Sequence, residues 1–235
     1  AAVDQGVKGL RIGIPKEYFV DAMDPKIRKT VMEAIGELQK AGAEVKEISL
    51  PHAEYALAAY YIIMPAEASS NLGRFDGLRY GYHSCGENLI DTYSRSRGEG
   101  FGKEVQRRIM LGSYTLSAGY YDAYYRKALK VRSLIKQDFD EALKQVDVIA
   151  TPTSPSVAWG LGEKFNDPIT MYLSDIYTIT ANLVSVPAMS IPCGFVDDLP
   201  VGLHLVAKHF DEHALYKTGA FYQSVTDWHT KTPIL

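Results

Sequence analysis

Apolar positions along the chain change period several times, and each change marks an element. GLRIGIP, residues 9–15, is a short apolar run of the β type. Asp24 and Pro25 then supply an N-cap and a first-turn proline, and Ile27, Val31, Ile35 and Leu38 follow at helical spacing until the Gly42 stop. AEVKEISL, residues 43–50, alternates as a half-buried strand does. Residues 9–50 therefore predict a β-α-β unit with parallel strands and a right-handed crossover.

Residues 53–72 read as a helix that Pro65 kinks or divides, and residues 74–102 as a polar, glycine-bearing connector. Two helical stretches follow, 103–117 and 120–145, joined at Gly119, the second long and amphipathic. VDVIATP, residues 146–152, is apolar and β-branched enough for a buried strand and runs directly into the stiff turn TPTSP. After Asp167 and Pro168, helical spacing resumes over MYLSDIYTITANLV and ends before Pro187. The runs 188–195 and 200–207, separated by VDDL, predict an antiparallel hairpin, and a last helix covers 211–226. The fold class is α/β. Ligand sites in such folds gather where strand ends give way to loops, as at TPTSP.

With 235 residues and 46% hydrophobic content, the chain can form one large core or two smaller ones. A net charge of -3 and a pI near 6.1 give no global basic footprint, which argues against direct nucleic-acid binding. From Arg95 to Lys136, however, ten Lys and Arg face three acids, a local balance of +7 that reads as a solvated helix face. Cys85 and Cys193 match no metal-ligand spacing and make a poor disulfide framework, so a reducing, cytoplasmic setting is expected. No apolar run reaches the ~20 residues that span a bilayer. The opening AAVDQGVKG lacks Met and enters a strand-like run at once, the pattern of a piece cut from a longer polypeptide.

Candidate chemistry centres on charge in apolar surroundings. On a helix, Asp175 would share a core-like face with Met171, Tyr172, Ile179 and Asn182. A carboxylate there must be paired, hydrogen-bonded, protonated, or lining a cavity open to a polar ligand. Arg107 and Arg108 point about 100 degrees apart on a helix, so one can face water while the other faces inward beside Ile109, Met110 and Leu111. An inward arginine and an inward aspartate would suit the carboxylate and ammonium of an amino acid, and could equally pair with each other. The histidines at 52, 83, 204, 209, 213 and 229 form no HExxH pattern, and no GxSxG elbow, P-loop or GxGxxG occurs. Serines 69, 70, 154, 156, 185 and 190 have no base beside them in sequence. Tyrosines 120, 121, 124 and 125 read as packing, with base stacking the second reading.

Longer motifs add a family resemblance. GLRIGIPKEYF, NLGRFDGLRYGYHS, SRGEGFGKEVQRRIMLGSYTLSAGYYDAYYRKA, DVIATPTSP, DPITMYLSDIYTITANLVSVPAMSIPCGF and LPVGLHLVAKHFDE resemble the amidase signature family, in its branch of A subunits of aspartyl/glutamyl-tRNA amidotransferases. The resemblance runs from residue 9 to the TDWHTKTP end and implies a mixed β-sheet core wrapped by helices. It implies glutamine hydrolysis by a Ser, cis-Ser, Lys triad and transfer of ammonia to a B subunit, which uses ATP and magnesium to activate the misacylated tRNA. The chain itself would bind no cofactor. Its partners would be L-glutamine, the B and C subunits, the N-terminal half of the same polypeptide, and tRNA through the B subunit. The Ser-rich segment that bears the nucleophile, and the lysine before it, match nothing here, so the chain is expected to be a C-terminal half that is inactive alone. What the resemblance carries over is ligand recognition: Arg108 for the α-carboxylate of glutamine, Asp175 for its α-ammonium, and a pocket tyrosine at Tyr60 or Tyr61, with Tyr60 preferred. Rival expectations are an amidase signature hydrolase acting on simple amides and a non-catalytic partner-binding fragment.

Overall fold

The computed structural model describes residues 6–19, 23–163 and 168–232. They divide into two compact units: a sheet unit, Ala1–Leu57 with Arg132–Leu235, and a helical unit, Ala58–Val131.

Five strands build the sheet unit: β1 (Arg11–Pro15), β2 (Glu44–Ile48), β3 (Val148–Pro152), β4 (Ala188–Val196) and β5 (Leu199–Ala207). Their order is β2-β1-β3-β5-β4. β1 runs parallel to β2 and β3, while β5 is antiparallel to β3 and β4, so the sheet is mixed as the resemblance implies. The helix between β1 and β2, α1 (Pro25–Lys40), starts where Asp24 accepts a 2.8 Å bond from the Lys26 N–H. Its buried stripe is Ile27, Val31, Ala34, Ile35 and Leu38, the helical pattern of the sequence. β3, between β1 and β5 in the sheet, is buried at every position, so side chains on both of its faces are shielded and its sequence does not alternate. Arg11 ties β3 to β1: its backbone N–H, Nε and Nη2 all donate to the Asp147 carboxylate, at 3.0, 3.2 and 2.6 Å. Asp197 and Asp198, with φ of 50° and 63°, form the two-residue turn of the β4–β5 hairpin.

The helical unit holds most of α2 (Ala56–Leu72), with α3 (Leu89–Gly100) and α4 (Lys103–Thr115). A π-helical turn at Tyr121–Tyr125 follows Gly119, whose φ is 87°, and leads into α5 (Arg126–Gln145), which belongs to the sheet unit from Arg132 on. α6 (Pro168–Leu173), α7 (Ile179–Val184) and α8 (Glu212–Val225) complete the α-helices described.

Two expectations are corrected and a third is narrowed. Of the two outcomes expected at Pro65, division is excluded: α2 is one helix from Ala56 to Leu72 with Pro65 inside it, where the ring has no N–H to give the carbonyl four residues back. The connector is not wholly irregular, because its second half is α3, begun by Asn88 accepting from the Asp91 N–H at 3.0 Å. Its polar, glycine-bearing sequence leaves little apolar stripe to detect. The single helix expected over MYLSDIYTITANLV is two short ones separated by turns at residues 174–178. Ser174, Asp175 and Ile176 each bond the carbonyl three residues back, and the Thr178 hydroxyl takes the Asp175 carbonyl, so local polar groups compete with the helical ladder. Asp167, which precedes that helical stretch in the sequence, lies outside the described residues.

Candidate functional site

In the helical unit the close approach of α4 to α2 sets the site. A Cβ at Gly112 would lie 1.9 Å from the Pro65 carbonyl oxygen, so only glycine lets the two backbones meet. One turn earlier on α4, this approach lays Arg108 on α2. Its Nη1 reaches the Met64 sulfur at 3.8 Å, and both Tyr61 and Tyr60 are close enough to act on its charge, Tyr61 more strongly. The two rings stack edge to face with centroids 5.2 Å apart, and the Tyr61 hydroxyl is shielded from solvent.

Arg108 is anchored at its other end. Nε donates to Glu104 Oε1 at 2.8 Å, one helical turn away, while the second oxygen of Glu104 takes Arg107. Burial works against the Arg108 charge, but the Glu104 bond and the two phenols outweigh it and hold its pKa above the ordinary arginine value. A guanidinium carries five N–H donors. With Nε and one Nη1 hydrogen engaged, the remaining three meet no acceptor among the described residues. The side chain of Arg108 is 30% exposed and that of Arg107 47%, the inward and outward division that the helix predicts. The apolar wall is thinner than expected, however, since Met110 and Leu111 are exposed.

Asp175 belongs to the sheet unit, and its position corrects the sequence reading. It sits in the turns between α6 and α7 and is exposed, not on a buried helix face. Of its expected neighbours only Ile179 is buried; Met171 and Tyr172 are half-buried and Asn182 is exposed. No bond reaches its carboxylate among the described residues, and an exposed carboxylate needs none, because water solvates it. Burial therefore gives no reason to place a ligand at Asp175, and its assignment rests on the resemblance.

The strand end marked by TPTSP does open onto a cavity, of about 550 Å³, within the sheet unit. Thr153, Ser154, Ser156, Ser190 and Trp159 are among its lining residues, and Thr153 and Ser190 bond each other through their hydroxyls at 2.7 Å. That pair joins residues 37 apart in sequence, so no local signal announces it. Glu104 was also missed, although its spacing of three and four residues to Arg107 and Arg108 was visible. The tyrosines read as packing do pack, but against one another on the surface. Tyr114 and Tyr120 lie 4.3 Å apart, Tyr120 and Tyr124 5.9 Å, Tyr121 and Tyr125 5.3 Å, and all but Tyr125 are exposed.

The amidase family profile matches residues 1–216. The A subunit of glutamyl-tRNA(Gln) amidotransferase from Chloroflexus aggregans is 57% identical over 235 residues, covering 100% of this chain and 48% of the relative. That of Pseudomonas savastanoi pv. phaseolicola is 58% identical over 235 residues, covering 99% and 48%. The chain thus spans about half the length of the curated relatives it matches. Among solved structures, the A subunit of glutamyl-tRNA(Gln) amidotransferase from Thermotoga maritima matches with a TM-score of 0.74 and 38% identity, over 97% of this chain and 45% of that one. A mixed sheet of this topology, a sequence match along nearly its whole length and a shared fold agree: the chain belongs to the amidase family.

Proposed function

We propose that this chain is the glutamine-binding part of an amidase subunit that hydrolyses glutamine and supplies ammonia for transamidation of Glu-tRNA(Gln) or Asp-tRNA(Asn). The observation that carries the reading is the Arg108 guanidinium, anchored at one end with its remaining donors open, in a chain more than half identical to the A subunits of such enzymes. A guanidinium held in this way suits the α-carboxylate of an amino acid. Arg108 takes that carboxylate, Asp175 the α-ammonium, and Tyr60 or Tyr61 flanks the ligand. The nucleophilic serine, cis-serine and lysine lie outside these residues, in the remainder of the amidase, and the chain alone releases no ammonia. The B and C subunits complete the cytoplasmic assembly, with ATP and magnesium on the B subunit, which also carries the tRNA.

In the complete enzyme, Arg108→Ala is expected to weaken glutamine binding by about 1.5–3 kcal/mol, the range for a charge-assisted hydrogen bond, read as a raised KM for glutamine. An unchanged KM and kcat would overturn the assignment. For the purified chain, steady ammonia release from glutamine, abolished by substituting one of its own serines, would refute its inactivity.

A further inference from the structure

The Glu104 carboxylate lies between two guanidiniums. Oε1 accepts from Arg108 Nε at 2.8 Å and Oε2 accepts from Arg107 Nη1, so one side chain fixes two arginines on consecutive positions of α4. An arginine side chain is long and rotamer-rich, and a guanidinium recognises a carboxylate well only when its plane is already set. The bond to Nε sets that plane. It occupies the donor on the stem side of the group and leaves the Nη1–Nη2 end open, the end that can hold a carboxylate through two parallel bonds. Charge allows this arrangement: two guanidiniums and one carboxylate leave a net single positive charge, so an incoming carboxylate is still attracted despite the acid beside it. The Met64 sulfur, 3.8 Å from Nη1, is a weak acceptor and competes little for that end.

We infer that Glu104 is a positioning residue, which orients Arg108 for the α-carboxylate of glutamine without touching the ligand itself. The inference rests on the reading of Arg108 given above.

The test is steady-state glutaminase kinetics of the complete amidotransferase bearing Glu104→Ala, Glu104→Gln or Arg108→Ala in this sequence. Glu104→Ala is expected to raise KM for glutamine at least fivefold with kcat within twofold of the parent. Glu104→Gln, whose amide oxygen can still accept from Nε, should recover part of that loss. A KM unchanged by Glu104→Ala, while Arg108→Ala raises it, overturns the positioning role and leaves the Arg108 reading standing. A fall in kcat with KM unmoved, or a Glu104→Gln variant as impaired as Glu104→Ala, also overturns it. If Arg108→Ala itself leaves KM unchanged, the ligand assignment fails and the role of Glu104 falls with it.

Discussion

Arg107 and Arg108 are neighbours in sequence with different surroundings, because a helix turns adjacent side chains about 100 degrees apart. That much followed from two letters in QRRIMLG. The anchoring of one of them by Glu104 and Met64 needed the packed helices. Asp175 shows the opposite case: its apolar neighbours in MYLSDIYT suggested burial, yet the helix that would have turned it inward breaks at that residue and leaves it in water. Cysteine reactivity also follows local surroundings. Cys85 is exposed, whereas Cys193 is buried and burial pushes its thiol up to about 12. Iodoacetamide near neutral pH is therefore expected to alkylate Cys85 and to modify Cys193 roughly 100-fold more slowly, until denaturant opens the fold. Peptide mass analysis that found the two labelled at similar rates in the native protein would contradict the burial of Cys193.

Helix contacts in the helical unit depend on which residues can be small. Gly112 leaves no room for a Cβ against the Pro65 carbonyl, and backbone, unlike a flexible side chain, cannot swing aside. Gly112→Ala should cost about 3 kcal/mol, the upper part of the usual overpacking range, and displace Arg108 with it. Gly98 in α3 has nothing within 4 Å of its Cβ position, so Gly98→Ala should instead stabilise by about 0.5–1 kcal/mol. Urea unfolding midpoints moving in the same direction for both variants would show that the α2–α4 contact is not as described. The contrast was invisible in sequence, where Gly112 falls inside a stretch read as helical and Gly98 inside the polar connector, with nothing to say which has a backbone against it. α3 itself escaped notice because its polar residues form few buried contacts, with Ser96 its one buried position.

Across the sheet unit, His204 is the most consequential buried base. It faces Thr151 on β3, with its Nδ1 3.2 Å from the threonine hydroxyl, and desolvation pushes its pKa down to about 4. An unfolded histidine titrates near ~6.5, so between these values the unfolded chain binds the proton that the folded chain refuses. Stability is therefore full above pH ~6.5 and declines by about 3 kcal/mol as pH falls to about 4. Asp147, held below the usual carboxylate range first by its bond to Arg11, loses its contribution only at pH below ~3.9, outside that window. Denaturant titrations from pH 7 to 4 should show the decline in the parent and a flatter profile in His204→Leu; equal slopes would exclude His204 as its source. The sequence by itself determined the strands, the amphipathic helix between the first two, the hairpin and the division between Arg107 and Arg108, because periodicity and turn chemistry act over a few residues. Only the tertiary structure decided that Pro65 sits inside a continuous helix against Gly112, that Glu104 and Met64 hold Arg108, that Thr153 meets Ser190 at a cavity, and that Asp175 stands in solvent. Those outcomes depend on which surfaces meet across the fold, and local spacing carries no record of that.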